Sequence, residues 1–391
     1  MSTPILAYPF RPFFLLTGIY GAITILAWMA FLLGGLPLPL GWSPLHWHSH
    51  EMLFGLGSAA IAGFILTAIC NWTGAAPLRN RGLLMLLLLW LIGRIAFWTA
   101  SYWPAIVVAG LDMAFLFALT VYVTRVLLFH GNKRNLPLAL ILVLLTLANA
   151  LMHYGFVDGQ IQWLQWGEQL ALGLVTLMMV MIGGRIIPLF TGNWLRNRGA
   201  TGLLPRSYPA LDAAALLSTL LVILVDLFGP THEPGLLGAI ALVAALVNAL
   251  RLLGWVGWRT APEPLLWILH LGYGWIVLGL LLKGLAAFAW VAPSAWLHAL
   301  GAGAMGTLIL GVMSRVALGH TGRPLSLPRW GLLIYIAISL AAVARVLAAL
   351  DWLDYQMGLV ISASGWTIAF GVFTWIYWPI LTSPRVDGRP G

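Results

Sequence analysis

Long uninterrupted runs of apolar residues dominate this chain and limit its fold more than any other feature. The runs are about 20 residues long, which is the length that an α-helix needs to cross a bilayer core of about 30 Å. Of all 391 residues, 61% are hydrophobic and only 8% are charged. The sequence therefore predicts an all-α polytopic membrane protein.

Hydropathy predicts twelve transmembrane helices within a single transmembrane domain, residues 1–391. The longest connection, about residues 191–208, is too short to form the core of a soluble domain. The predicted spans are 11–34, 45–70, 82–101, 104–129, 135–156, 164–190, 209–229, 235–258, 264–289, 294–318, 329–349 and 355–381.

The charges of the loops orient these spans. Alternate connections carry lysine or arginine, and the connections between them carry neither. By the positive-inside rule, the basic connections and both termini are predicted to be cytoplasmic. The formal charge of +9 thus indicates topology rather than binding of nucleic acid. The basic residues are Arg79, Arg81, Lys133, Arg134, Arg196, Arg198, Arg206, Arg259, Arg323, Arg329, Arg385 and Arg389.

The single cysteine, Cys70, excludes a disulfide framework, a thiolate zinc cluster or an iron–sulfur cluster built within one chain. Any metal must therefore be held by imidazole, carboxylate or amide groups. The first apolar stretch has no basic segment before it and is expected to be a mature span rather than a signal peptide.

A group of ionisable residues marks the start of the second span, in the sequence "PLHWHSHEML". His46 and His50 share one helical face, whereas His48 points elsewhere. His46 and His48 also lie beside tryptophans, as residues of an interfacial aromatic belt do, and we favour that interpretation for His46. His50 and Glu51 lie deeper, where ionisable side chains are costly and face a protein interior or a cofactor.

Spans 2, 6 and 10 show an internal repeat. "HEMLFGLG" from His50, "EQLALGLV" from Glu168 and "HALGAGAM" from His298 align without gaps, and a Thr-Gly pair follows each leading residue after 23 positions. This spacing predicts three pseudo-repeats of four helices, about 1–133, 134–260 and 261–391, although a chance match in a glycine-rich chain is the alternative. In the repeat, the three leading residues lie at one depth. Two imidazoles from different helices suit the axial positions of a haem iron, or copper, and Glu168 could donate protons, bind a metal or orient a histidine.

Other polar residues of the spans leave two interpretations each. His153 is either a core residue or a ligand at the depth of His50. Asp112 and Lys283 belong either to a proton path or to ion pairs. One group forms either a second, inner site or polar contacts between helices: His270, Asn248, Arg251 and His320. Another group consists either of helix anchors or of partners of haem propionates: Arg11, Arg185 and Arg315.

Five motifs stand out along the chain, namely "YPFRPFF", "WHSHEMLFG", "GGRIIPLFTGNWL", "HLGYGW" and "MSRVALGHTGR". Together they resemble the NnrS family of bacterial membrane proteins over essentially the whole chain. The resemblance implies a twelve-span inner-membrane protein associated with haem, copper and nitric oxide metabolism or defence against nitrosative stress. The positions that match the family motifs are His48, His50, Glu51, Arg185, Asn193, His270, His298, Arg315 and His320.

Three groups of four spans are also similar to the catalytic subunit of haem–copper oxidases and nitric oxide reductases. The sequence departs from that architecture because it shows no three-histidine copper site. The fully formed binuclear centre of those enzymes is therefore not expected.

Together these observations predict a haem-binding membrane protein that binds and reduces nitric oxide. His50 and His298 are expected to hold a b-type haem, with His48 or His153 beside a second site for copper or non-haem iron and Glu51 and Glu168 as proton relays. The expected partners are nitric oxide, membrane lipids and an electron donor outside this chain. The alternatives are a non-catalytic haem protein that binds or senses nitric oxide, and a transporter without a redox cofactor.

Overall fold

The computed structural model describes residues 4–35, 41–229 and 234–388. Within these residues it is all-helical, with twelve helices long and apolar enough to cross a membrane. The predicted all-α fold with twelve spans is thus confirmed. Arg389 and residues 230–233 belong to the segments whose charges predict the topology, and they lie outside the described residues. The helices, numbered α1 to α12, are Phe10–Gly34, Pro44–Thr73, Asn80–Trp98, Ala105–Phe129, Lys133–Val157, Ile161–Asn197, Pro209–Phe228, Pro234–Leu253, Pro264–Ala287, Pro293–His320, Gly331–Ala349 and Tyr355–Thr382.

Local sequence signals explain several helix ends. Proline stands in the first turn of helices that begin at Pro44, Pro209, Pro264 and Pro293, where its missing N–H would have no partner in any case. α2 ends at Gly74, which adopts the left-handed conformation with φ of 74°.

Two helices contain a π-helical segment, and both segments follow a histidine. In α2 an α-helical start, Pro44–His50, leads into the π-helix Glu51–Gly57. In α10 the start Pro293–His298 leads into the π-helix Ala299–Met305. Such segments are rare and occur often at functional sites. The whole of α6, which contains Glu168, is α-helical.

The chain divides into two compact units. The first contains the described residues of 1–171, 315–324 and 373–391, and α2 is its most enclosed helix. The second contains 172–314 and 325–372, and α9 is its most enclosed complete helix. The single transmembrane domain predicted from the sequence stays a prediction.

Arg11 anchors the end of the chain within the first unit. Its side chain is fully buried, and Nη1 donates hydrogen bonds to the backbone oxygens of Leu381 at 2.9 Å and Ser383 at 2.7 Å. These carbonyls lie at the C-terminal end of α12, where a cation is favourable. Of its two sequence interpretations, these contacts match the helix anchor.

Close helix packing in the second unit makes a testable prediction. A Cβ atom on Gly365 of α12 would lie 2.7 Å from the backbone oxygen of Ala337 in α11, whereas a Cβ on Gly371 would meet nothing within 4 Å. We expect Gly365→Ala to destabilise the protein by about 1 to 3 kcal/mol, because α11 and α12 must separate. Gly371→Ala is the control on the same helix. Thermal unfolding of the purified protein measures both, and equal melting temperatures for the two variants would contradict this packing.

Candidate metal centre

The first unit contains a fully buried cluster of ionisable side chains from four helices. His50 comes from α2, Arg94 from α3, Asp112 from α4 and His153 from α5, and each is at most 4% exposed. Gly93 permits the close approach of α3 and α4, because a Cβ there would lie 3.1 Å from the Cα of Asp112. Arg94 and Asp112 are thereby brought together at the crossing of their helices.

One carboxylate oxygen forms the centre of this cluster. Asp112 Oδ2 lies 3.2 Å from His50 Nε2 and 2.9 Å from His153 Nε2, and it accepts a 2.8 Å hydrogen bond from Asn149 Nδ2. One ligand atom from each of His50, Asp112 and His153 lies within 4.8 Å of the others. Two imidazoles and one carboxylate are a ligand set that suits non-haem iron.

Arg94 links both buried carboxylates. Its Nη1 donates to Glu51 Oε1, and its Nη2 donates to the second oxygen of Asp112. With both carboxylates ionised and both histidines neutral, the four side chains and Glu51 together carry one net negative charge. A net charge buried among apolar helices is costly, so the cluster favours an added proton or a bound cation.

The partners of His50 strengthen this conclusion. Its Nδ1 lies 3.2 Å from Glu51 Oε1, while its Nε2 faces Asp112 Oδ2 and Asn149 Oδ1, the latter at 3.0 Å. All three atoms are hydrogen-bond acceptors, but a neutral imidazole has only one N–H. A metal ion at Nε2 would satisfy both ring nitrogens, because Nδ1 would then carry the single proton and donate a hydrogen bond to Glu51. Histidines that bind metals commonly donate their second nitrogen to a carboxylate in this way.

The spacing of the ligand atoms also fits a metal. Bonds from a metal ion such as zinc to imidazole nitrogen and carboxylate oxygen are about 2.0–2.2 Å long, so ligand atoms that hold one ion would lie within about 4.4 Å of one another. The two Nε2-to-Oδ2 separations, 3.2 and 2.9 Å, are within that limit. The residues present therefore fit a divalent metal ion without a large rearrangement.

Aromatic rings enclose the imidazoles. Phe97 stacks on His50 with ring centroids 3.9 Å apart, and Trp42 packs edge-on against His153 at 5.3 Å. Trp42 also contacts Phe97 at 4.9 Å. This apolar wall separates the cluster from water, which strengthens every charge interaction inside it.

A second polar group lies one helical turn before His50. His46 Nδ1 is 2.8 Å from Glu168 Oε1, and the Ser49 hydroxyl donates to the same oxygen. The side chains of His46 and Glu168 are 17% and 22% exposed, in contrast to the buried cluster. The sequence analysis did not predict this contact, since it assigned His46 to the interface and matched Glu168 to His50 through the repeat.

The other predicted site residues are distributed over both units. His48 stacks on Trp28 of α1 with centroids 4.7 Å apart. His320 lies beside the ring of Phe10 at 5.6 Å, and His270 Nε2 contacts the Thr191 hydroxyl at 2.9 Å. Arg185 and Arg315 are partly exposed in α6 and α10. None of these residues joins the triad of His50, Asp112 and His153.

The inner polar residues of the second unit form contacts between helices. Arg251 pairs with Asp212 at 2.6 Å and donates to the hydroxyl of Tyr273 at 3.0 Å, and that hydroxyl donates to Asn248 at 2.6 Å. These bonds connect α7, α8 and α9 and match the polar-contact alternative. Lys283 likewise pairs with Asp226 at 2.8 Å, as Asp112 pairs with Arg94, so both residues form ion pairs with partners that the sequence did not identify.

His298 is placed differently from His50. It is partly exposed, and its Nδ1 donates to the backbone oxygen of Ser294 at 2.7 Å. That bond leaves Nε2 with a lone pair, as an axial haem ligand requires. His50, with acceptors at both nitrogens and no exposed surface, fits a buried metal better than a haem. The shared haem of His50 and His298 stays a prediction.

Two signals in the sequence could have identified the missing members of the cluster. Arg94 interrupts the apolar run "WLIGRIAFW", where a charge is rarely placed without a function or a partner. Asn149 precedes His153 by four residues and therefore shares its helical face.

These features define an all-helical membrane protein with a buried group of residues that could hold a metal ion. The family model described as NnrS protein matches residues 4–385. The chain therefore belongs to the NnrS family, as the sequence motifs predict. A comparison with curated proteins finds no match.

Metal binding gives the first prediction for the site. We expect the purified protein to bind about one divalent ion per chain in the triad, and Asp112→Asn or His153→Ala to remove it, because each loses a ligand atom. Asp354→Asn, which changes an exposed carboxylate outside the helices, is the control. Elemental analysis after equilibration with ferrous, cupric and zinc ions measures the content. Full metal content in both triad variants would rule out this site.

Arg94 gives a second prediction. Arg94→Gln leaves two buried carboxylates without their cation, and we expect a loss of about 3 to 5 kcal/mol in stability. A bound divalent ion replaces part of the lost charge, so adding metal should raise the melting temperature of this variant more than that of the unchanged protein. An equal shift in both proteins would contradict the charge argument. Thermal unfolding with and without metal provides the comparison.

Proposed function

We propose that this protein binds a redox-active metal ion at His50, Asp112 and His153 and uses it to bind and reduce nitric oxide in the bacterial inner membrane. The observation that carries the proposal is His50, a buried histidine whose two ring nitrogens both face acceptor oxygens within a cluster of net negative charge. Membership of the NnrS family supports the link to nitric oxide.

Among the metals, the ligand set favours ferrous iron over copper. Carboxylate and imidazole together suit non-haem iron, whereas cuprous copper prefers sulfur ligands. When bound, such an ion supplies a coordination position for nitric oxide and one-electron chemistry. Binding of nitric oxide requires no polar channel, because the molecule is small and apolar and can reach the site through the bilayer.

The surrounding side chains orient the ligands. Arg94 holds one oxygen of Asp112, which leaves Oδ2 directed at both histidines. Glu51 accepts from His50 Nδ1 and fixes the tautomer that presents Nε2. Trp42 and Phe97 exclude bulk water from the imidazoles. Each group therefore supports a site that is assembled before its ligand arrives.

Reduction also requires protons and electrons. Two nitric oxide molecules, two protons and two electrons give one nitrous oxide and one water, and the electrons come from a donor outside this chain. We propose that the partly exposed pair of His46 and Glu168 takes up protons and passes them to Glu51, whose Oε2 is buried without a hydrogen-bond partner in the described residues. On the proposed topology, with both termini in the cytoplasm, these protons come from the periplasm.

A haem at His298 is a second part of the proposal. His298 has an Nε2 lone pair and lies directly before a glycine-rich π-helix, in which a Cβ on Gly301 would meet nothing within 4 Å. Small residues beside His298 leave space for a haem, which His298 would hold through Nε2. The shared π-helical segment after His50 and His298 also supports the proposed internal repeat.

Turnover tests the function. The reduced, metal-loaded protein should consume nitric oxide and release nitrous oxide over many cycles, and Asp112→Asn should abolish this activity while Asp354→Asn retains it. A nitric oxide electrode and gas chromatography measure the two gases. Binding of nitric oxide without nitrous oxide would favour the sensing alternative. Absence of both, with metal and haem absent from the purified protein, would favour a transporter.

A further inference from the structure

Arg345 is a cation of the second unit without a carboxylate partner. It lies in α11 about one turn before the helix ends at Ala349. In the described part of the chain it forms no ion pair, and its Nη1 is enclosed by protein without a hydrogen-bond partner. Its guanidinium lies 5.6 Å from the ring centre of Tyr355, which compensates only a small part of the charge.

Lys283, another basic residue of the second unit, does have a carboxylate partner. Lys283 lies over the ring of Trp296, two residues before His298, and forms a 2.8 Å ion pair with Asp226. Its charge is thus neutralised within the protein. Arg345 is partly exposed near the end of α11 and has no such carboxylate partner among the described residues. A guanidinium with a buried nitrogen that lacks a partner is well placed to bind an anion.

His298 supplies a second polar atom. The start of α10, Pro293–His298, packs against α11, the helix that carries Arg345. The Nδ1 of His298 is used by Ser294, and its Nε2 has no protein partner among the described residues. The guanidinium and the imidazole nitrogen therefore both lack partners in one region.

An unused hydrogen-bond donor from α9 lies against the π-helical segment that follows His298. The indole of Trp275 packs against Gly303, because a Cβ there would lie 2.5 Å from the ring. Gly303 follows His298 by five residues, which is about one turn of a π-helix. The indole Nε1 is buried without a hydrogen-bond partner in the described residues.

We propose that Arg345 forms, beside His298, a binding site for a planar oxyanion, namely a carboxylate or nitrite, with Arg345 as the group that binds the anion. The guanidinium presents parallel N–H groups that match the two oxygens of such an anion, and the resulting charge-assisted bonds are stronger than neutral ones. The site belongs to the second unit and does not depend on the metal triad. Its anion has two conceivable sources: a free small oxyanion, or a propionate of a haem held by His298.

The first arm of the test uses sodium nitrite on the full-length, haem-free protein. Nitrite should raise the melting temperature relative to sodium chloride at the same ionic strength, and calorimetry should give a Kd. Arg345→Gln should weaken nitrite binding by about tenfold or more, as loss of a charge-assisted contact predicts. Arg329→Gln, an exposed arginine just before the start of α11, is the matched control and should bind as the unchanged protein does.

The second arm compares haem with its dimethyl ester, which lacks both carboxylates. If a propionate is the anion, the unchanged protein should bind haem about tenfold or more tightly than the ester, and Arg345→Gln should lose this preference. Absorption titrations measure both affinities. If nitrite is the anion, haem and its ester should bind with equal affinity or not at all. The binding of nitrite should then still depend on Arg345.

Arg345→Lys serves if the glutamine variant does not fold, since it keeps the charge but loses the paired N–H groups. Arg345→Lys should reduce the affinity for the same probe, nitrite or haem, by a smaller factor. The proposal is overturned if the unchanged protein neither binds nitrite nor prefers haem to its ester, or if the Arg345 variants retain full affinity. Both arms are independent of nitric oxide turnover, so failure here and failure of the triad would be distinguished.

Discussion

Compensation of buried charge is the constraint on which the arrangement of the first unit depends. Glu51 and Asp112 lie among apolar helices where water does not solvate an ion, so each carboxylate requires a nearby cation or donor. Arg94 contacts both, and Asn149 of α5 donates a further hydrogen bond to Asp112. Because these residues come from α2, α3, α4 and α5, satisfying the charges also fixes how the four helices approach one another.

Compensation of buried charge also distinguishes two kinds of polar group in the second unit. Arg251 and Lys283 each have an aspartate within 3 Å, and Arg251 also uses Tyr273 and a backbone oxygen of α6. These groups are satisfied by the chain itself and stabilise contacts between helices. The triad of the first unit and Arg345 of the second have charges that their described neighbours do not balance. Among these groups, unbalanced charge rather than burial therefore separates the candidate binding residues from the structural ones.

The sequence predicts the helices well because the length of an apolar run follows directly from bilayer thickness. It also identifies His50 and His153 as candidate ligands from their position within spans. The contact of His50 with Asp112 does not follow from the sequence in this way, because no motif connects the helix of Asp112 with "HWHSHE". The internal repeat matches Glu168 to His50 by position, whereas the contact of Glu168 is with His46. Contacts between helices depend on crossing geometry, such as that set by Gly93, which hydropathy does not encode.

The two π-helical segments connect this geometry with chemistry. A π-helix places more residues in each turn than an α-helix, so residues after the segment face a different direction from the one that α-helical continuation would give. His50 and His298 both stand directly before such a segment, and both have one ring nitrogen held by an oxygen acceptor. α6 continues as a regular α-helix and carries Glu168 at the matching position. The two helices with altered register are thus those with an imidazole at this position, whereas the regular helix carries a carboxylate, so the change of helix type accompanies the change of side-chain chemistry.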